Sequence, residues 1–308
     1  MRRLLLALTF AVFALTAAAR ATVPPPLPAP AKSFDSGSLH IDVYGTAGRR
    51  ALVFIPGLTC GPWEWSGEIA QLSPYYTIYA LTLPGFDGHP AIKSPLFQTV
   101  SADFWTLLAT ESIVKPTVIG HSLGGTLAIM LAEQHSDKLG GVISVDGLPT
   151  FPGMDRMTAD QRAQAAAQMT AAMAQASTPA QFAAMEKTYV LPNLMTSPDD
   201  IAVVAPLAAR SDIAATAAWT SEDIALDLRP QLTKVTIPLL VIAPYDGALE
   251  SKVLPDSAAK RGYYDALLAN DPAANVQMIE PSRHFVMYDQ PKTLHDAISA
   301  FVRQHPPG

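Results

Sequence analysis

Residues 116–135 read PTVIGHSLGGTLAIMLAEQH, and the way this stretch divides decides the fold. It begins as a short β-branched run of the kind that forms a strand buried on both faces. From Ser122 onward it has the length and the leucine and alanine content of a helix. Gly120, Gly124 and Gly125 crowd the boundary around the single serine, Ser122. A strand that turns directly into a helix needs a sharp corner, and glycines two residues to either side of the apex avoid the steric clash there. Gly-x-Ser-x-Gly alone is a weak signal; at a strand-to-helix junction it holds a hydroxyl at the apex of a strained turn.

The same alternation extends in both directions. ALVFIPG (51–57), YTIYALTLPG (76–85), GVISVDG (141–147), IPLLVIAP (237–244) and NVQMIEP (275–281) are apolar runs ending in turn residues, while LHIDVYG (39–45) alternates like an antiparallel strand. Helical stretches at 65–72, 99–112, 122–135, 256–269 and 291–303 lie between or after them. Strands alternating with helices predict an α/β fold with a mostly parallel central sheet covered by helices on both faces.

One segment breaks the rhythm. Between Pro149 and Pro230 there is no strand pattern, only alanine-rich helical sequence with capping boxes at Thr158–Gln161 and Thr178–Gln181. Six of the ten methionines fall here (154, 157, 169, 173, 185 and 195), where soft side chains either pack on the core or line an apolar cleft. Residues 33–148 and 231–308 are therefore expected to form the α/β core, with 149–230 as a helical cap.

The N-terminus carries a targeting pattern. Arg2 and Arg3 precede an apolar run from Leu4 to Leu15, and Ala17–Ala21 supplies small residues for cleavage. The run falls short of the roughly 20 apolar residues of a membrane span. The proline-rich stretch that follows cannot continue a helix. Residues 1–21 are expected to be a cleaved signal peptide and 22–32 a spacer, leaving a periplasmic or extracellular protein without a stable membrane anchor. One cysteine, Cys60, rules out an internal disulfide. A net charge of −6 without a basic stripe argues against nucleic-acid binding.

Chemistry gathers around Ser122. A serine hydroxyl needs a base to take its proton. Of the seven histidines, His284 lies in the loop PSRHFVMYDQP after the last strand, whereas His121 sits inside the turn as a packing or supporting residue. His40, His89, His135, His295 and His305 fall on surface or loop sequence. The base in turn needs an acid to orient it. Asp246 follows the strand 237–244 and gives the order Ser, Asp, His; Asp146 ends GVISVDG at the same edge of the sheet and competes with it. The oxyanion of an acyl-transfer reaction would be held by the backbone amide of Leu123 and by one in the loop after ALVFIPG, assigned to Leu58. Cys60, in that loop, lacks any such turn around it and is expected to be a packing thiol. There is no metal-ligand spacing and no phosphate-cradling glycine pattern, so neither metal nor nucleotide cofactor is expected.

Taken together, IPGLTCGPWEW, LPGFDGHP, GHSLGG, PYDG and SRHFVMYDQP resemble, in order, the motifs of the α/β-hydrolase fold family, in its lidded esterase, lipase and proline-iminopeptidase-like branch, from about residue 33 to 304. One departure is Pro56-Gly57, where the family often has His-Gly. The resemblance implies a serine hydrolase with PYDG supplying the acid and 149–230 serving as a lid. It points to an apolar carboxylic ester cleaved through an acyl-enzyme, with amide cleavage or acyl transfer on the same residues as alternatives. A non-catalytic binder of apolar ligands is a distant one. An aminopeptidase would need acids to grip a free amine, and Glu186, Asp199, Asp200, Glu222 and Asp223 are available in the cap segment.

Overall fold

A computed structural model describes residues 25–173 and 178–308; the expected signal peptide, residues 1–21, lies outside the described residues. The chain forms an eight-stranded sheet in the order β1-β2-β4-β3-β5-β6-β7-β8. The strands are β1 (Lys32–Ser36), β2 (Leu39–Tyr44), β3 (Ala51–Ile55), β4 (Thr77–Thr82), β5 (Thr117–His121), β6 (Gly141–Val145), β7 (Leu239–Pro244) and β8 (Ala274–Ile279). From β4 to β8 every neighbouring pair is parallel, and β2 runs antiparallel to both β4 and β1. The α/β architecture is the one expected from the sequence. The extra edge strand β1 was not foreseen, because its polar KSFDS lacks a buried face and is half to fully exposed.

Helices α1 (Ser66–Leu72), α2 (Leu96–Thr110) and α3 (Leu123–His135) follow strands β3, β4 and β5. Side chains alternate across the sheet. Val53, Val118, Val142 and Val241 enter one core with residues of α2 and α3. Phe54, Ile119, Ile143 and Ile242 enter the other, shared with α1. Both faces of the central strands are thus covered, which is why they read as continuous apolar runs rather than alternating ones.

The chain between β6 and β7 is helical: α4 (Ala159–Met173), α5 (Pro179–Met185), α6 (Leu191–Leu194), α7 (Pro198–Ala208) and α8 (Ile213–Ala225). The Thr158 capping box forms in full, and Thr178 caps its helix as expected. Thr158 N–H donates to Gln161 Oε1 at 2.8 Å while Gln161 N–H donates back to Thr158 Oγ1, and Thr178 Oγ1 accepts from Gln181 N–H. A π-helical turn, Glu186–Val190, joins α5 to α6. After β7 come α9 (Gly247–Glu250) and α10 (Ser257–Leu267), and after β8 come α11 (Val286–Asp289) and α12 (Pro291–Gln304). Of these last elements, α10 packs its Tyr264 and Leu267 into the core shared with α3, and α12 packs Leu294 and Ile298 into the core shared with α1.

Candidate active site

The loops at the C-terminal ends of the parallel strands surround one cavity of about 680 Å³, bordered by Ser122, His284, Asp146, Leu58, Met185 and Leu194 among others. Ser122 sits between β5 and α3 at φ 52°, ψ −121°, a conformation that costs a non-glycine residue of order 1–3 kcal/mol and must be imposed by its surroundings. The surroundings are glycines in contact with backbone. A Cβ on Gly120 would collide with the Gly124 carbonyl, and one on Gly124 with the carbonyls of Ile55 and Pro56. Ser122 N–H donates to Val145 O at 2.9 Å, which ties the corner to the end of β6.

That tie brings Asp146 to the serine. Asp146 also has a positive φ, 52°, and Gly147 lies so close to the Ser122 carbonyl and Gly125 that any side chain there would clash. His284 Nδ1 donates to Asp146 Oδ2 at 2.5 Å, and Tyr264 Oη donates to Asp146 Oδ1. Burial by itself would raise the Asp146 carboxyl. The His284 and Lys260 charges and the two hydrogen bonds outweigh it, so the group sits below its ordinary value. Ser122 and His284 border the cavity together; the bond between such a hydroxyl and its base is often long in a free enzyme and tightens once substrate is bound.

The preferred acid, Asp246, does not reach the histidine and is corrected here to Asp146. Asp246 caps α9 by accepting from Ala248 N–H at 3.0 Å. It also pairs with Arg283 Nε at 2.6 Å. Arg283 in turn donates to the carbonyls of Pro192 and Met195, and its own amide donates to Asp289 at 2.7 Å. Asp246 therefore anchors the residue before His284, and through it joins the histidine loop to α6. The Asp-Gly dipeptide that marked PYDG as the acid marks the end of β6 equally well. Only the contact between β5 and β6 separates the two.

Leu58 and Leu123 lie where the sequence placed them, in the loop after β3 and at the first position of α3. Among the described residues neither backbone amide donates to another protein group, so both are available to a ligand oxygen. Sequence reasoning missed what holds this loop. Glu64 Oε2 accepts from Gly57 N–H at 2.9 Å, and Glu64 Oε1 accepts from His121 Nδ1 at 2.6 Å. His121 Nε2 donates to the His284 carbonyl at 3.1 Å. With acceptors at both ring nitrogens His121 carries two protons and a positive charge. Burial would lower its pKa, but the charge and hydrogen bond of Glu64 reverse that and hold it above the ordinary histidine value. The pair is 1% and 0% exposed. One buried ion pair therefore couples the Leu58 loop, the serine corner and the histidine loop. Glu64 precedes Trp65 in PWEW, and a lone acid in an otherwise apolar buried stretch was the signal that could have found it.

Cys60 is buried. Burial first, and then the Glu64 carboxylate, push its thiol well above the usual range, which suits a packing thiol rather than a nucleophile. Among the described residues no group of His, Cys, Asp and Glu could hold a metal ion. Phe151, Tyr263, Tyr264 and Phe285 border the cavity, while Trp65, Trp219 and Phe182 are buried in the core. Met169 and Met185 border it as well, Met195 is fully buried and Met157 is exposed. Of the five acids noted in the cap segment, Glu186, Asp199, Asp200, Glu222 and Asp223, only Glu186 and Asp223 border the cavity among the described residues. Glu222 instead caps α2 through Leu96 N–H and Phe97 N–H.

A family model described as Alpha/beta hydrolase family matches residues 52–297. The chain is similar over 121 residues, at 32% identity, to 2-succinyl-6-hydroxy-2,4-cyclohexadiene-1-carboxylate synthase of Escherichia coli (strain SMS-3-5 / SECEC), a match covering 39% of this chain and 47% of that protein. Over 105 residues, at 30% identity, it is similar to pimeloyl-[acyl-carrier protein] methyl ester esterase of Wigglesworthia glossinidia brevipalpis, covering 34% and 39%. The matched segment is thus less than half the length of these curated relatives. Among solved structures, a hydrolase from Pseudomonas aeruginosa PA01 superposes with a TM-score of 0.70 at 18% identity over 86% of this chain and 94% of its own. The enol-lactonase from Burkholderia xenovorans LB400 gives 0.65 at 20% over 86% and 96%. At these identities the structural likeness speaks to the fold.

Proposed function

The chain belongs to the alpha/beta hydrolase family, and on that premise we propose that it hydrolyses a carboxylic ester through a covalent acyl-enzyme on Ser122. The observation that carries this reading is the His284 Nδ1 to Asp146 Oδ2 bond in the cavity that the strained Ser122 corner borders. Asp146 keeps the proton on Nδ1, leaving Nε2 free as the base. As Ser122 Oγ attacks the ester carbonyl, Nε2 takes its proton and the carbonyl oxygen becomes an oxyanion. The amides of Leu58 and Leu123 receive that oxygen; one such donor is worth about 10²–10³ in rate. The tetrahedral adduct collapses, His284 returns the proton to the departing alkoxide, and the alcohol leaves. Water then attacks the acyl-enzyme by the same route and releases the acid.

The mostly aliphatic wall of the cavity supports an apolar portion of the substrate. Lys260 is the one lysine or arginine among the described lining residues, and it is held by Glu250 at 2.7 Å. A cavity without a spare cation is poorly suited to a carboxylate-bearing substrate of the kind that the first curated relative is named for. Export is part of the same proposal, supported by the Arg2-Arg3 and Leu4–Leu15 pattern. Expression of the full chain with N-terminal sequencing of the product would reveal a new start near residue 22, or an intact Met1 that would refute it.

The test of the reaction is a fluorophosphonate probe with intact-mass analysis of the wild type and Ser122→Ala. A single adduct on the wild type and none on the variant is expected. No adduct on the wild type would overturn the reading.

A further inference from the structure

Thr59 holds a backbone conformation that its own side chain disfavours. Its φ is 62°, in the left-handed region where a β-branched residue is a genuine outlier. The residue is buried and borders the cavity beside Leu58. Cys60 N–H donates to Gly57 O at 3.1 Å and closes a four-residue turn with Thr59 in third place. Glycine or asparagine ordinarily fills that place when its φ is positive. The turn carries the Leu58 amide, so what keeps Thr59 left-handed also aims an oxyanion donor. Within the loop the Thr59 hydroxyl donates to the Leu58 carbonyl at 2.6 Å. The Thr59 carbonyl is held from outside the loop.

That hold comes from the corner between α7 and α8, where the chain bends by 105°. Ser211 Oγ donates to Thr59 O at 3.1 Å and accepts from Asp87 N–H, in the loop after β4, at 3.2 Å. Ser211 is 6% exposed, so little water is at hand to replace its hydroxyl. The backbone on both sides of it is fixed to the same loop. Gly88 N–H donates to Arg210 O at 3.0 Å, and Asp212 N–H donates to Gly85 O at 2.7 Å. We propose that Ser211 is a positioning residue for the reaction at Ser122, its hydroxyl tethering the Thr59 carbonyl and so keeping the left-handed turn that presents the Leu58 amide. Without the tether Thr59 relaxes toward negative φ and the amide loses its aim. The oxyanion exists only in the tetrahedral adduct, so the loss falls on kcat rather than on ground-state binding.

The catalytic consequence rests on the hydrolase reading above; the tether on the turn does not. With p-nitrophenyl butyrate, Ser211→Ala is expected to lower kcat about tenfold and to leave KM within about twofold of wild type. Glycine adopts the left-handed conformation without strain. In a Thr59→Gly background the same serine substitution should therefore lower kcat by no more than about twofold. Thermal unfolding checks that each variant is folded. No loss in Ser211→Ala, a loss of equal size in both backgrounds, or one confined to KM would overturn the proposal. Deuterium uptake by the peptide spanning residues 57–61 reads the turn without any chemistry, and Ser211→Ala should quicken it. Fluorophosphonate labelling of the wild type separates the two claims. Labelling with unchanged uptake refutes the tether alone, and quickened uptake without labelling refutes the hydrolase reading alone.

Discussion

Asp146 and Asp246 each follow a buried strand, each precede a glycine, and each accept a hydrogen bond from a side chain of the His284 loop. Asp146 accepts from His284 itself at 2.5 Å; Asp246 accepts from Arg283, one residue earlier, at 2.6 Å. The first contact orients the imidazole that borders the cavity together with Ser122. The second fastens the backbone that carries the imidazole to α6 and α9. Adjacent residues of one loop thus divide positioning of the ring from anchoring of the chain. Glu186 and Asp223 complete the contrast as acids of the helical segment that face the same cavity with no cation at all.

The contrast breaks first on rate. Asp146→Asn is expected to lower kcat by about 10⁴, because the wrong histidine tautomer is then favoured, while Asp246→Asn keeps kcat within about tenfold of wild type. Steady-state hydrolysis of p-nitrophenyl butyrate by both variants measures this, and the opposite ranking would return the acid to β7. The unpaired acids act through pH. Folded Glu186 holds its proton up to about pH 7 against an ordinary 4.5, so the native state binds more protons than the unfolded chain in that window. Its contribution is complete below about pH 4.5 and fades as pH rises toward 7, by up to roughly 3 kcal/mol. Denaturant unfolding at pH 5 and pH 8 should show the loss, and Glu186→Gln should lessen it, the remainder coming from Asp223 and Glu133, raised to about 7 and about 8; a pH dependence unchanged by the substitution would mean that Glu186 is not desolvated.

Asp246→Asn should cost about 2 kcal/mol of stability, since it leaves the Arg283 guanidinium short of its counter-charge in a partly buried setting. A midpoint shift in denaturant with an unaltered slope would report it. The smallest expected effect belongs to the buried pair under the loop. Glu64→Gln keeps an acceptor for Gly57 N–H but removes the charge on which the doubly protonated His121 depends. A fall of roughly tenfold in kcat with KM little changed is expected from a slackened oxyanion loop. A change confined to KM would place Glu64 in substrate binding instead.

Much of this was legible in the residues. The apolar runs and the helices between them prescribed the parallel sheet, and the glycines around Ser122 prescribed its corner. Capping boxes at Thr158 and Thr178 foretold helix starts that the structure forms. The polar strand β1 was not legible, because an exposed edge leaves no periodic apolar signal. The charge pair Glu64–His121 was not legible either, since its members are 57 residues apart and nothing local links a glutamate in one loop to a histidine in another.

Local sequence determined the turn at Ser122 because a strained φ must be written into the neighbouring glycines, where backbone meets backbone. It placed His284 in the loop after the last strand, where the side chain borders the cavity. The choice between Asp146 and Asp246 belonged to the tertiary structure. Both carry the same local signal, and only the packing of β6 against β5, with Gly147 pressed on the Ser122 carbonyl, sets which carboxylate meets the imidazole. The facing of Glu186 and Asp223 was decided the same way. A helix turns its acids inward or outward according to what it packs against, and that partner lies far along the chain.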